Sequence, residues 1–593
     1  MAVAQSRQAY FVQRVLDTLL REDFCQMVSG GSVVSSGGVP FSQEREASKE
    51  WLRFELDTST VWWIPVTAAR QLQVWSASAP LVVAEKGEHS RSITDVQELI
   101  ENISQHVDER TSLFQEIVCA LEHDELSLTQ QKSWFASLGN ASPATFEHWW
   151  ECLQYFDRLA SFFDHPYYPT ARAKVGLDQQ ALERYAPEWG ASFELAWVCV
   201  PAEWLTVRQG TLPAWWPTPE AVGLTSTPGH VLVPVHPHTL DLIRLQLPEG
   251  TQIAPRTFVR VQATLSVRTL QLVEHPADHI KLPLYMRSLS YKNIRRIKPG
   301  TIIDGDRMER LLTSIVSRDS RLTGGYLFTD ESAGLCVQDR PDLGCILRRY
   351  PDAQLQGCTV LPTAALLAPT PAGSTVIAEL IANHYGGDAL AFYRAYVETT
   401  LRLHVTLWCV YGIALESNQQ NTLLVLDPAV PLTHSRIRLL LKDNDAARVY
   451  RPAALEQLTP EEAPLLDQLA DPCIVVDKWL DIAQMFLTIT LQLNLVPFFE
   501  EAGSVGLEPA ALYKMTAELL EARMDALPPE LVRRSLIRDI LLDSEMHYVK
   551  YLFSAGTLFS KQRTGAADIN KHYGLTAPNC FRDTSGGATI ALP

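Results

Sequence analysis

The chain has 593 residues, 46% of them hydrophobic, which is long enough for several domains or one large catalytic body. Its 51 basic and 68 acidic residues give a net charge of −17, which argues against a nucleic acid or an anionic membrane as the main partner. No segment reaches the roughly 18 uncharged apolar residues that span a bilayer, and the N-terminus lacks a signal-peptide pattern, so we expect a cytoplasmic protein.

The first 160 residues combine helical and strand patterns. Residues 1 to 28 resemble an amphipathic helix, 29 to 38 a Ser/Gly loop, 40 to 85 antiparallel strands, and 93 to 163 helices. The Ser/Gly loop lacks the G-x-x-x-x-G-K-[ST] spacing of a phosphate-binding loop. We therefore expect residues 1–160 to form a first α+β region.

The segment 164 to 176, DHPYYPTARAKVG, places His165, Arg172 and Lys174 on one proline-containing loop. Such a loop could hold a polycarboxylate, and a solvated basic loop is the alternative. Strands at 191 to 200 and 231 to 235 lead to PVHPH, where His236 and His238 could bind a metal. No acidic or cysteine partner stands at ligand spacing, so a turn-forming role is favoured there.

Basic residues concentrate between positions 266 and 298. We interpret ATLSVRTLQL, residues 263 to 272, as a strand that is followed across a turn by HIKLPLYM. Arg268 and Lys281 then flank apolar strand residues, where a charge needs a partner; a bound anion would supply one, and structural carboxylates are the alternative. Residues 301 to 385 are mixed and include the strand-like GCILRRY, which carries Arg348.

The stretch from Thr406 to Asp445 carries the strongest signal of chemistry. A helix with a buried face is predicted over residues 401 to 415, and a polar cluster, ESNQQN, follows it. Two strands, 422 to 426 and 437 to 441, then form a hairpin that should bring Glu416 and Asn421 near Asp443. These oxygen ligands are of the kind that holds Mg²⁺ with nucleotide phosphates, and a capped helix with a polar turn is the alternative.

Helices should dominate from residue 386 onward. The tail contains a helical pattern over 546 to 562 and ends in a loop-rich segment from 576 to 593, which we expect to be partly mobile. Residues 161–385 and 386–593 are thus the second and third predicted regions.

Several of these elements, in this order, resemble the NRPS-independent siderophore synthetases, the aerobactin-synthetase-like family. HPYYPTARAKVG is similar to the family's His loop, PVHPH to its short His-Pro element, SVRTL to its Ser-x-Arg-Thr strand, and ESNQQN to its Glu-x-His-x-Gln-Asn signature. Lys281 matches the strand lysine, Lys442-Asp443 the Arg-Asp strand end, and HYGLTAPNCFRD the tail. The resemblance covers most of the chain from about residue 160.

The resemblance implies an α+β fold shaped as a three-part cupped hand of thumb, fingers and palm, with antiparallel sheets, a helix-rich C-terminal part, and a homodimer. It implies an ATP- and Mg²⁺-dependent ligase that adenylates a carboxylate of citrate or a citrate-like acid and transfers the acyl group to an amine or hydroxyl. It assigns ATP and the reacting carboxylate to Ser266, Arg268, Thr269, Lys281, Arg295, Asn418, Gln420 and Asn421. By the same resemblance, the acid is bound by His165, Arg172, Lys174 and Arg348. Mg²⁺ is bound by Glu416, Asn421 and Asp443.

Three positions depart from the family pattern. Asn418 stands in place of a nucleotide-contacting histidine, Tyr168 in place of the second histidine of the loop, and YKNIR matches Thr-Ser-Ala-x-Arg only loosely, which makes Arg295 the candidate arginine. A kinase-like phosphotransferase that releases ADP and an inactive carboxylate-binding relative are the alternative functions.

Overall fold

The computed structural model describes residues 2–41, 44–69, 72–143, 145–431, 436–528, 533–565 and 572–582. The end of the predicted mobile tail, residues 583 to 593, lies outside them.

The first part of the chain is a helix packed on an antiparallel sheet, followed by three helices. The elements are α1 (Ala2–Arg21), β1 (Ser32–Ser35), β2 (Glu50–Glu55), β3 (Val61–Ala68), β4 (Trp75–Ala77), β5 (Val82–Lys86), β6 (His89–Ile93), α2 (Val96–Ile103), α3 (Arg110–Ser137) and α4 (Trp149–Ser161). The sheet has the order β1-β2-β3-β5-β6, with β4 paired to β3. The loop predicted over 29 to 38 is wrong at Ser32–Ser35, because these residues pair with residues 50 to 53 of β2.

The middle part is built on a nine-stranded antiparallel sheet with the order β10-β7-β11-β12-β13-β18-β17-β8, to which β9 is added beside β7. Its elements are α5 (Gln179–Tyr185), β7 (Ser192–Pro201), β8 (Leu205–Gln209), β9 (His230–Val235), α6 (Pro237–Ile243), β10 (Gln252–Ile253), β11 (Phe258–Ala263), β12 (Thr269–Leu272), β13 (Asp278–Lys281), β14 (Leu284–Arg287), β15 (Ile294–Arg295), α7 (Pro299–Arg318), β16 (Tyr326–Phe328), β17 (Asp330–Val337) and β18 (Arg340–Arg349).

The single strand predicted over residues 263 to 272 is wrong, because the chain turns between β11 and β12. Thr264 and Thr269 close this turn through the Thr264 N–H and Oγ1, which both donate to the Thr269 carbonyl, at 3.0 and 2.8 Å. Val267 takes φ +63° inside it, a strained conformation for a β-branched residue.

The last part is rich in helices, as predicted. Its elements are α8 (Asp352–Leu355), β19 (Thr359–Pro362), α9 (Val376–Tyr385), α10 (Ala389–Tyr411), β20 (Ile413–Ala414), β21 (Thr422–Leu426), β22 (Ile437–Leu441), β23 (Arg448–Tyr450), α11 (Arg451–Gln457), α12 (Ala463–Asp467), β24 (Val475–Val476), α13 (Trp479–Met485), α14 (Val496–Glu500), α15 (Pro509–Asp525), α16 (Arg533–Arg538), β25 (Met546–Lys550), α17 (Lys561–Thr564) and β26 (Tyr573–Pro578).

The helix predicted over 546 to 562 is wrong in its first residues, which form β25 and pair with β26. The helical segment Trp479–Glu500 corrects a second expectation: it is long and apolar enough to cross a membrane. The apolar part of this segment is 94% buried inside the protein, as in the core helix of a globular protein.

Helix α10 lies in the largest hydrophobic core and leads directly to the polar cluster. Gly412 ends the helix at φ +64°, where an added Cβ would lie 2.8 Å from the Cβ of Ala453. Only glycine fits this close, left-handed position. The hairpin that follows is confirmed, with Thr422 opposite Leu441 and Leu426 opposite Ile437. The α+β fold class is thereby confirmed, and the division at residues 160 and 385 stays a prediction.

Candidate functional site

One cavity of about 550 Å³ brings the predicted site residues together. Its lining includes every residue that the sequence assigned to ATP or metal, and every residue assigned to the acid except Arg348. These residues come from the loop after α4, the β11–β12 turn, β13, β15, the segment after α10 and the end of β22. Segments up to about 280 positions apart therefore share one site.

The β11–β12 turn presents Ser266, Arg268 and Thr269 to the cavity. Ser266 Oγ accepts from the Thr269 N–H at 3.1 Å, and Arg268 donates to the Arg296 carbonyl at 2.8 Å. Burial lowers the pKa of Arg268, although Asp443 and Asp445 oppose it. A short turn held this tightly fixes the direction of its side chains.

Asp443, at the end of β22, joins two cations from neighbouring strands. Lys281 on β13 pairs with its Oδ1, and Arg348 on β18 approaches the same oxygen at 2.6 Å. Burial alone would raise the pKa of Asp443, but Arg348 and Lys281 outweigh it and hold the pKa below its ordinary value. Arg348 also donates to Glu331 at 2.8 Å, so this arginine supports the cavity wall from behind.

Arg295 on β15 adds a further cation to the same wall. Its Nε and Nη2 donate to Ser288 Oγ at 3.1 and 2.6 Å. Burial lowers its pKa to about 10, and repulsion from Arg268 adds to the effect. An anion bound between Arg295 and Arg268 would relieve their repulsion.

The polar cluster after α10 is a tight turn. The Oδ1 of Asn418 accepts from the backbone N–H groups of Gln420 and Asn421 at 3.0 and 3.1 Å, and the Nδ2 of Asn421 donates to the Glu416 carbonyl at 3.1 Å. The Lys442 N–H donates to the Asn421 carbonyl at 3.1 Å, which joins the turn to the end of β22. The predicted meeting of this cluster with Asp443 is confirmed, since both line the cavity.

Carboxylates gather where β22 ends. Glu416, Asp443 and Asp445 line the cavity, and Asn421 adds an amide. Burial and the neighbouring carboxylates together raise the pKa of Asp445 to about 6, although Lys281 opposes them. Within the part of the chain that the structure describes, no three His, Cys, Asp or Glu side chains form a ready metal cage. The oxygen donors nevertheless fit Mg²⁺, which takes one or two carboxylates and completes its shell with phosphates and water.

The loop after α4 is held against α1. His165 lines the cavity, and its Nδ1 accepts from the N–H groups of Tyr167 and Tyr168 at 3.2 and 3.0 Å. Arg14 on α1 donates from Nη2 to the carbonyls of His165 and Tyr168 at 2.6 and 2.7 Å, and Arg21 donates to the Tyr167 carbonyl at 2.8 Å. The first region of the chain thus shapes a loop that sequence patterns did not link to it.

The two other cations of this loop have carboxylate partners. Arg172 lies 2.9 Å from Asp164 and 3.8 Å from Glu188, and Lys174 pairs with Glu188. Arg172 also donates to Ser127 Oγ at 3.1 Å and to the carbonyls of residues 161 and 162 at 2.6 and 2.8 Å. Both cations line the cavity, so their binding of an acid stays a prediction.

The two PVHPH histidines lie outside this cavity. His236 caps α6, where its Nδ1 accepts from the His238 N–H at 3.2 Å. The turn-forming role is confirmed for His236. Tyr168, which replaces the second histidine of the His loop, lines the cavity, and its hydroxyl forms a hydrogen bond with the Thr557 hydroxyl at 2.5 Å.

Sequence patterns missed the counterions and supports of the site: Arg14, Asp164, Glu188, Glu331, Asp445 and Lys550. Asp164 and Asp445 stood in the two segments that drew attention, 164 to 176 and 406 to 445, whereas the other four carry no motif. Lys550 on β25 lines the cavity, where the sequence predicted only a helix.

Comparison with protein families supports this picture. The model of the IucA / IucC family matches residues 154–368, and one described as ferric iron reductase FhuF-like transporter matches residues 390–564. The two matched segments hold the cavity residues of the middle and last parts.

Two curated relatives are similar to the chain. The uncharacterized protein y4xN of Sinorhizobium fredii is 28% identical over 345 residues, 51% of this chain and 52% of that protein, so the chain matches about half the length of this relative. Staphyloferrin B synthase of Staphylococcus aureus is 23% identical over 577 residues, 91% of this chain and 92% of that protein.

Among solved structures, ATP-bound aerobactin synthetase IucA from Klebsiella pneumoniae matches with a TM-score of 0.67 and 16% identity, over 97% of this chain and 99% of that chain. Fold, family models and relatives agree. Residues 154–368 match the IucA / IucC family, and the chain as a whole shares its fold with the solved aerobactin synthetases.

Proposed function

We propose that this protein is an ATP-dependent ligase that adenylates one carboxylate of citrate or a citrate-like acid and condenses it with an amine or hydroxyl. The observation that carries this proposal is the single cavity in which cations for a triphosphate, oxygen donors for a divalent ion and the His165 loop meet. A kinase-like site would share the first two features, and the His165 loop favours an acid as the second substrate.

In the first step, a carboxylate oxygen of the acid attacks the α-phosphorus of ATP. The new O–P bond forms while the bond to the β-phosphate bridge breaks, and pyrophosphate leaves with the electron pair. An acid and a triphosphate repel each other, so the step needs fixed positive charge. Arg268, Lys281 and Arg295 would supply it, with Ser266 and Thr269 donating to phosphate oxygens.

Mg²⁺, when bound, would supply a Lewis acid for phosphate oxygens, and Glu416, Asn421 and Asp443 would hold it. Lys281 and Arg348 neutralise Asp443 in the structure. A phosphate entering the cavity could draw Lys281 away from Asp443 and so leave that carboxylate available for the ion. Asn418 and Gln420 would orient the nucleotide from the neighbouring turn.

In the second step, the nucleophile attacks the acyl carbon of the mixed anhydride. The new C–N or C–O bond forms, the C–O bond to AMP breaks so that AMP leaves with the electron pair, and the proton of the nucleophile passes to water. The acid would be held by His165 and Lys174, while Arg172 fixes the loop and Arg348 supports Asp443. Amide or ester products follow from the choice of nucleophile.

The remaining expectations are proposals of the same kind. The partners would be a small polycarboxylate and an amine or alcohol, with no nucleic acid and no membrane, in agreement with the net charge of −17. We propose a homodimer in the cytoplasm, as the family resemblance implies.

The test is incubation with ATP, Mg²⁺, a panel of citrate-like acids and a panel of amines and alcohols. We expect AMP and pyrophosphate only when acid is present, and a condensation product detected by mass. Omission of each component and the Arg268→Ala variant serve as controls. ADP as the sole nucleotide product would favour the phosphotransferase, and acid binding without any turnover would favour the inactive relative.

A further inference from the structure

Two cavity-lining side chains, His165 and Asn418, stand at the start of turns with the same hydrogen-bond pattern. The Nδ1 of His165 accepts from the backbone N–H groups two and three residues on, at 3.2 and 3.0 Å. The Oδ1 of Asn418 accepts from the N–H groups two and three residues on, at 3.0 and 3.1 Å. Each side chain therefore turns its acceptor atom toward its own backbone.

The turn decides what each side chain can offer a ligand. A ring nitrogen that accepts N–H bonds carries no proton, so the neutral ring of His165 carries its proton on Nε2. The Asn418 amide, with its Oδ1 engaged, has Nδ2 as its remaining polar atom, and Nδ2 is a donor. Since both residues line the cavity, both can present hydrogen-bond donors to its contents.

The surroundings of His165 keep its ring neutral. Burial lowers the pKa of His165 to about 3, and the cations Arg14 and Arg21 on α1 and Lys550 on β25 act in the same direction. Asp164 opposes them, but it is already paired with Arg172. A ring held in this way remains an uncharged donor across the working range of a cytoplasmic enzyme.

We propose that His165 and Asn418 are a matched pair of neutral hydrogen-bond donors, and that neither transfers a proton in the reaction. His165 Nε2–H would bind an oxygen of the acid, and Asn418 Nδ2–H an oxygen of the nucleotide phosphates. The identity of these ligands rests on the proposed function, whereas the donor character rests on the turns alone.

This pairing accounts for asparagine at a position where the family signature has histidine. A neutral imidazole with its proton on Nε2 and a carboxamide offer the turn the same acceptor and the cavity the same kind of donor. This chain contains both residue types in the same kind of turn, histidine at position 165 and asparagine at position 418.

The test separates the donor from the acceptor at each position. His165→Asn and Asn418→His keep the acceptor for the turn N–H groups and the donor toward the cavity. His165→Asp and Asn418→Asp keep the acceptor and lose the donor. We expect KM for the acid to be lower in His165→Asn than in His165→Asp, and KM for ATP to be lower in Asn418→His than in Asn418→Asp. His165→Asp should raise KM for the acid, and Asn418→Asp KM for ATP, each by about tenfold or more, since a hydrogen bond to a charged group is lost and the new carboxylate repels the anionic ligand.

Denaturant midpoints of the aspartate variants should stay near that of the unmodified chain, because a carboxylate also accepts the turn N–H groups. Equal activity of the aspartate and exchange variants would mean that only the turns matter, and would overturn the proposal. A folded His165→Asn variant that loses about a hundredfold in rate, or loses a limb of the pH–rate profile, would indicate proton transfer by the ring and would also overturn it.

A second measurement does not depend on turnover or on the aspartate variants folding. Ring ¹⁵N shifts in ¹⁵N-histidine-labelled protein, with His165→Asn for assignment, should report the neutral Nε2–H tautomer of His165 from about pH 5.5 to pH 8.5. An imidazolium or an Nδ1–H tautomer in that range contradicts the proposal. If the unmodified chain releases no pyrophosphate, the proposed function fails while this result stands.

Discussion

Two sets of residues place positive charge beside the same cavity in opposite ways: the loop at 164 to 176, and Arg268 of the β11–β12 turn together with the strand cations Lys281, Arg295 and Arg348. In the loop, Arg172 is 5% exposed and its partners Asp164 and Glu188 are 5% and 1% exposed. Among the strand cations, Lys281 pairs with Asp443, whose side chain is 17% exposed. Arg172, which is itself buried with buried partners, is therefore committed to the fold, whereas Lys281, whose partner faces the cavity, can exchange that partner for a ligand.

The largest expected effect is on stability: replacing Arg172 by leucine should lower the free energy of unfolding. The change leaves buried carboxylates without their cation, which costs about 3–5 kcal/mol of unfolding free energy. Urea unfolding of the purified variant measures it. Arg260→Ala is the matched control, because its pair with Glu274 is 53% and 54% exposed and should contribute at most about 1 kcal/mol. A leucine variant as stable as the control would return Arg172 to the role of a ligand-binding residue.

Arg268→Ala should affect catalysis rather than the fold. Loss of a cation at the developing charge should cost on the order of 3 kcal/mol of transition-state stabilisation, roughly a hundredfold in rate. Pyrophosphate release per folded molecule, together with urea unfolding, separates the two effects. Unfolding of this variant with unchanged activity per folded molecule would place Arg268 with Arg172 as a structural cation.

The third and smallest effect concerns the pH dependence that His165 brings to the loop. Burial lowers its folded-state pKa to about 3, whereas the unfolded chain takes up a proton near pH 6.5. The stability contribution is therefore complete above pH 6.5 and is lost as the pH falls toward 3. His165→Asn should lose about 2 kcal/mol less unfolding free energy than the unmodified chain between about pH 7.5 and pH 5. Parallel losses in both proteins would show that the ring is protonated in the fold.

Local patterns predicted the elements closest to the site. Helix α10 shows a clear helical period, and the hairpin of β21 and β22 joins strands that are close in sequence, so the position of Asn421 beside the end of β22 follows from local order. The β11–β12 turn escaped prediction because its residues, Thr264 to Arg268, have strand-like types and the turn needs Val267 at positive φ. Strand β25 escaped because its partner, β26, lies more than 20 residues away.

The sequence by itself determined the α+β class, the family resemblance and 13 of the residues that line the cavity, since motifs record residue type and spacing. Only the tertiary structure decided the partners of those residues. Arg14 reaches His165 across about 150 positions, and Glu331 reaches Arg348 between adjacent strands. Charge pairing depends on distance and burial in space, and neither is encoded in the spacing of a single motif.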